Sequence, residues 1–114
     1  MIDAKFTYDK RFSRVQLELR GHAASAPKGE DLICAGVSAL AVTAAQMAKN
    51  LYREEMLRRS PRILMEPGYC LVVAVIQKGF EAEALMAFWT VQVGIHALAE
   101  EYPDYVNLEE VLQV

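Results

Sequence analysis

Two long stretches of helical period, each preceded by a pair of short strand-like segments, limit this chain to very few architectures. From about Leu32 to Leu57, the residues Ile33, Val37, Leu40, Ala44, Met47, Ala48 and Leu51 fall on one stripe. That is the spacing of a helix burying one face, and Ser60-Pro61 ends it. From about Glu81 to Glu101 the stripe is Leu85, Phe88, Gln92, Ile95, Ala99 and Tyr102, with Trp89, Val93 and His96 beside it, and Pro103 is the stop. Ahead of the first helix, Ile2, Ala4, Phe6 and Tyr8 alternate with mostly polar residues. After Asp9-Lys10-Arg11 the alternation resumes at Val15, Leu17 and Leu19, so the two segments read as a β-hairpin. Ahead of the second helix, Ile63 to Met65 and Tyr69 to Ile76 flank Glu66-Pro67-Gly68, where Pro-Gly suits the centre of a type II turn. The Tyr69–Ile76 segment is apolar on both faces, which predicts an interior strand covered on both sides. The tail from Tyr105 to Leu112 reads either as a last strand or as a short helix capped by Asn107. The order β-β-α-β-β-α, with an optional final β, predicts an α+β two-layer fold. Its mainly antiparallel sheet packs against two long helices.

No repeat or linker-like shift divides the 114 residues, so the chain reads as one domain, 1–114. At 54% hydrophobic and 24% charged, it can bury a core without metals or disulfides, and no cofactor is expected. The net charge of −3 argues against a general nucleic-acid binder, so no direct nucleic-acid partner is expected. One basic cluster, Lys49, Arg53, Arg58, Arg59 and Arg62, reads as a solvated helix end complementing the dipole, with phosphate binding as the alternative. The start, Met1 to Lys5, shows no signal peptide. The longest unbroken apolar run, Tyr69 to Ile76, is far short of the ~20 residues that cross a bilayer. A soluble, cytoplasmic protein with no membrane partner is therefore expected. Its cysteines, Cys34 and Cys70, would stay reduced there, and neither lies in a C-x-x-C pair.

One segment can carry chemistry: Gly21-His22-Ala23, then Gly29-Glu30-Asp31-Leu32-Ile33-Cys34-Ala35-Gly36-Val37-Ser38. A thiol is a nucleophile as thiolate, and an unperturbed cysteine has a pKa near ~8.5. A helix N-terminus and a neighbouring imidazole both favour the anion. Asp31 suits the N-cap, which puts Cys34 at the third helical position. His22 closes a strand, and a loop from Gly21 to Glu30, hinged at Gly21 and Gly29, can fold back to bring the two together. Backbone amides near Cys34 can bind an oxyanion, and Ser38 lies one turn below. From the residues alone, Cys34 reads equally as a small buried hydrophobe, His22 as a surface histidine and Ser38 as a structural helix serine. Cys70 and His96 read as core residues. A zinc site from His22, Cys34, Cys70 and His96 would require four distant elements to converge, so no metal is expected.

The string Gly21-His22-Ala23, followed by Gly29-x-Asp31-x-x-Cys34-Ala35-x-x-Ser38-Ala39-Leu40, resembles the ribosomal-processing cysteine protease family (Prp), and the likeness covers nearly the whole chain. The resemblance implies a dimeric peptidase that removes an N-terminal extension from the precursor of large-subunit ribosomal protein number twenty-seven. It also implies that His22 and Cys34 are the catalytic dyad, with the intervening loop moving to admit an extended peptide that carries aromatic residues before the scissile bond. Asp31 matches the motif's acidic position, its role open between third catalytic member, N-cap and substrate contact. The chain departs from the family at Ala35-Gly36, where Ala-Ala is frequent, and in a longer, more acidic tail beyond Tyr105. Two other readings share these residues. One is a non-catalytic module binding ribosomal protein through the apolar face around Phe88 and Trp89, a face that suits a homodimer equally. The other is a thiol-dependent deamidase or acyltransferase.

Overall fold

The computed structural model describes residues 1–22 and 31–114. Of the loop expected between Gly21 and Glu30, only Gly21 and His22 fall within that range; the hinge at Gly29 lies outside the described residues. The elements are β1 (Ile2–Asp9), β2 (Arg14–Gly21), α1 (Leu32–Arg53), β3 (Arg62–Glu66), β4 (Tyr69–Val75), α2 (Glu81–Glu101) and β5 (Val106–Gln113). They form a sheet of order β3-β4-β2-β1-β5. Three of its pairings are antiparallel, and the fourth, β1 with β5, is parallel. The fold is α+β, with the tail as a strand. Asn107 sits inside that strand, paired with Asp3.

The alternation seen in sequence becomes one buried face. Ile2, Ala4 and Phe6 of β1, Val15, Leu17 and Leu19 of β2, and Cys70, Val72 and Ala74 of β4 share a core with both helices. From α1 come Ile33, Val37, Ala41, Ala44, Ala45 and Ala48, and from α2 Ala84, Phe88, Val91 and Ile95. Helices and sheet make two layers over one core. Where the helices meet, Leu40 lies against Gly94, where a Cβ would sit 2.8 Å from the Leu40 Cδ2. At Gly36 a Cβ would meet Leu98 at an ordinary 3.6 Å, so the alanine frequent in the resembled family fits this backbone.

Five expectations are corrected. β4 is interior as expected, but both helices pack on the same side, so Tyr69, Val73 and Val75 on its other face stay half-exposed. α1 stops at Arg53, before Ser60-Pro61: Glu55 takes a φ of 61°, and Leu57 leaves the helix to bridge Ile76, where it is buried. Arg58, Arg59 and Arg62 therefore do not decorate a helix end; only Arg53 lies in the last turn. On α2, Phe88 is core, while Met86, Trp89 and Val93 form the exposed apolar face. His96, one residue and about 100° past the buried Ile95, is a surface residue 3.5 Å from Glu100. By length and composition alone α1 and α2 are each apolar enough to cross a bilayer, a test that core helices also pass. The count of unbroken apolar runs missed this because Gly36, Ser38, Thr43 and Gln46 interrupt α1.

Candidate active site

Leu32 opens α1 because Asp31 caps it. The Asp31 backbone is extended (φ −81°, ψ 95°), and its Oδ1 accepts a hydrogen bond from the Cys34 N–H at 2.9 Å. That satisfies one of the amides a helix start leaves without an intrahelical partner. Cys34 is thus the third helical residue, half-buried, at the end of the helix where negative charge is favoured. The same capping narrows the choice of oxyanion donors. The Cys34 amide serves Asp31, and the Ala35 amide donates to the Asp31 carbonyl at 3.0 Å. These two donors are engaged, so they are poor candidates for binding an oxyanion.

His22 follows the last residue of β2, and the backbone around it is held from two sides. The Met1 ammonium donates to the His22 carbonyl at 2.6 Å. The Gly21 N–H donates to the Gly68 carbonyl at 2.9 Å. Gly68 is the third residue of the β3–β4 turn, with φ 75° after Pro67, as a type II turn requires. The His22 ring lies over it: a Cβ at Gly68 would come within 2.7 Å of Nε2. A side chain there would move the imidazole.

His22 and Cys34 line one cavity of about 250 Å³. Its walls are mainly apolar, from Leu19, Val37, Ala41, Val42 and Met65, and Ser38, one turn below Cys34, joins the lining. Tyr69 forms part of the rim and is anchored from the sheet's open face. Its hydroxyl donates to Glu18 at 2.9 Å, and the Arg20 guanidinium binds Glu18 at 3.2 Å and lies 4.8 Å from the Tyr69 ring centre. Arg20's hydrogen bond holds the Glu18 carboxyl below its ordinary range, and donation to that carboxylate pushes the Tyr69 hydroxyl up. Cys70 also lines the cavity, from mid-strand, and burial pushes its thiol up. Among the described residues, no three His, Cys, Asp or Glu side chains gather where a metal could be held. Sequence reasoning missed the contribution of Met65 to Tyr69. The Pro-Gly turn was visible, but its position over His22 follows from the pairing of β2 with β4.

This fold is found in known proteases. An essential ribosomal processing protease Prp from S. aureus, in complex with a covalently linked product peptide, matches with a TM-score of 0.74 at 24% identity, over 96% of this chain and 99% of that one. Its complex with a substrate peptide gives 0.69 at 22% identity, over 96% and 99%. A Streptococcus mutans protein gives 0.71 at 26% identity, over 99% of this chain and 96% of that one. The search of curated proteins finds no match. The family model of the cysteine protease Prp matches residues 1–107, and the chain belongs to that family.

Proposed function

We propose that this protein is a cysteine endopeptidase in which Cys34 is the nucleophile and His22 carries its proton. The observation behind this reading is that a thiol at a capped helix start and an imidazole at a strand end line the same cavity. His22 takes the Cys34 proton, and the sulfur attacks the scissile carbonyl. His22 then protonates the leaving amine, and water releases the acyl group. Asp31 acts as the N-cap that fixes Cys34, and Ser38 as a polar point in a mainly apolar wall. Membership in the Prp family, and the likeness to a ribosomal processing protease seen with a substrate peptide, support a substrate of the same kind. We take it to be the N-terminal extension of large-subunit ribosomal protein number twenty-seven, cut in the cytoplasm. The family match from 1 to 107 supports one domain. The exposed Met86, Trp89 and Val93 suit a homodimer contact. Incubation with a peptide spanning the extension should give two fragments, and none with Cys34→Ala. Wild type that binds the peptide without cutting it would replace the enzyme with a binding module.

A further inference from the structure

At the other end of β2, the sheet carries a second cleft that the protease reading does not use. It holds about 410 Å³ and is lined by Arg14, Arg58, Arg59 and Arg62, with Phe12 at its side, over a floor of Val73 and Val75. No carboxylate is among the lining residues. Arg14 lies 3.6 Å from Asp9, a carboxylate it shares with Arg11. Among the described residues, Arg58, Arg59 and Arg62 have no ion-pair partner. They are exposed but held on fixed backbone: Leu57 is buried, and the Arg58 N–H donates to the Val75 carbonyl at 2.8 Å. A chain with net charge −3 thus concentrates guanidiniums at one sheet corner, where like charges repel. The whole-chain charge, which argued against nucleic acid, does not describe this surface.

We infer that this cleft binds single-stranded RNA. Guanidiniums grip phosphates in bidentate fashion. The cleft also offers planar faces: Phe12 is 55% exposed, with the guanidiniums of Arg11 and Arg14 lying 5.4 and 5.6 Å from its ring centre. Aromatic rings and guanidinium planes are the surfaces on which unpaired bases stack. The open sheet face beside them is covered by neither helix. An acidic protein segment would use the charges and leave Phe12 idle, which favours RNA. Along the strand the cleft lies roughly 25 Å from His22, so RNA and peptide can be held together.

The test is fluorescence anisotropy of the full chain with a labelled oligouridylate of about a dozen nucleotides, across a salt series. The logarithm of affinity should fall linearly with the logarithm of salt concentration. The double variant Arg58→Ala/Arg59→Ala should bind about tenfold or more weakly, and its salt slope should shrink by about 1.4, the share of two contacts on a single strand. Phe12→Ala should cost about fivefold or more while keeping the slope. Arg20→Ala, at the opposite end of β2, should bind RNA as wild type does. Equal losses from Arg20→Ala would reduce the effect to net charge and overturn the site, as would wild-type affinity in the double variant. A polyglutamate peptide that competes as well as RNA would also overturn the proposal, in favour of an acidic protein partner.

Discussion

Cys34 and Cys70 line the same cavity, yet they are different thiols. Cys34 is half-buried at the start of α1, with its backbone amide bonded to Asp31. Cys70 is 5% exposed in the middle of β4, packed among the core residues, and burial makes its thiol harder to ionise. The residue type is the same; the element and the position along it differ. A strand interior surrounds a sulfur with apolar neighbours and fully paired backbone. A helix start surrounds it with dipoles favouring an anion, and here a strand end brings an imidazole to the same cavity.

The comparison breaks most sharply on substitution. Cys34→Ser should lower peptide cleavage to the level without enzyme. Cys70→Ala should keep cleavage and cost about 1 kcal/mol of stability. The opposite pattern, a dead Cys70→Ala and an active Cys34→Ser, would exchange their roles. Iodoacetamide at neutral pH should label Cys34 first and reach Cys70 only as the protein opens, with peptide mapping as the readout. Next in size is His22. Removing a general acid–base group costs about 10²–10⁴-fold, so His22→Ala should lose that much in kcat/KM. Its melting temperature should hardly move, because the side chain is exposed. A large drop in melting temperature would make the histidine structural.

Gly68 sharpens the same contrast at lower cost. Alanine there would strain a backbone at φ 75° and press within 2.7 Å of His22 Nε2. Misplacing a catalytic group by an ångström can cost up to about 10²-fold, so Gly68→Ala should lose about ten- to a hundredfold in kcat/KM. If the loss runs through His22, adding Gly68→Ala to His22→Ala should cost nothing further. Additive losses would mean that the turn acts on substrate directly.

What was legible in the sequence follows the range of the forces involved. The start of α1 was local: Asp31 bonds three residues ahead, and the apolar stripe begins just after it. Both hairpins were legible because alternation and a Pro-Gly turn are short-range signals. The tail was not, since β5 pairs in parallel with β1, a hundred residues upstream, and sets Glu110 and the exposed Leu112 beside their partners Phe6 and Tyr8 on the same face, where Glu110 breaks the apolar alternation. The end of α1 was missed because the helix was carried past the last stripe residue, Leu51, toward the break at Ser60-Pro61, whereas Leu57 is buried by bridging Ile76 instead. His22 and Cys34 could be named as candidates from the sequence, but Gly68 over His22 was hidden, as it depends on strand register. The arginines were seen as a cluster and given the wrong neighbour. Only the sheet puts Arg14 beside Arg58 and Arg62.

The smallest expected effect separates the two meanings of Asp31. As an N-cap, its carboxylate oxygen is needed for one hydrogen bond to Cys34, and Asp31→Ala should cost about 1 kcal/mol. Asparagine and serine cap nearly as well, so Asp31→Asn and Asp31→Ser should restore the melting temperature. If capping is the whole role, these variants should also restore kcat/KM, because the helix start, and Cys34 with it, returns to its place. A carboxylate that orients His22 or meets the substrate would behave otherwise. Asp31→Asn would then be as stable as wild type and as slow as Asp31→Ala. Melting temperature and kcat/KM measured side by side on the three variants decide between them. The difference between Cys34 and Cys70 then rests either on helix geometry alone or on a charge beside it.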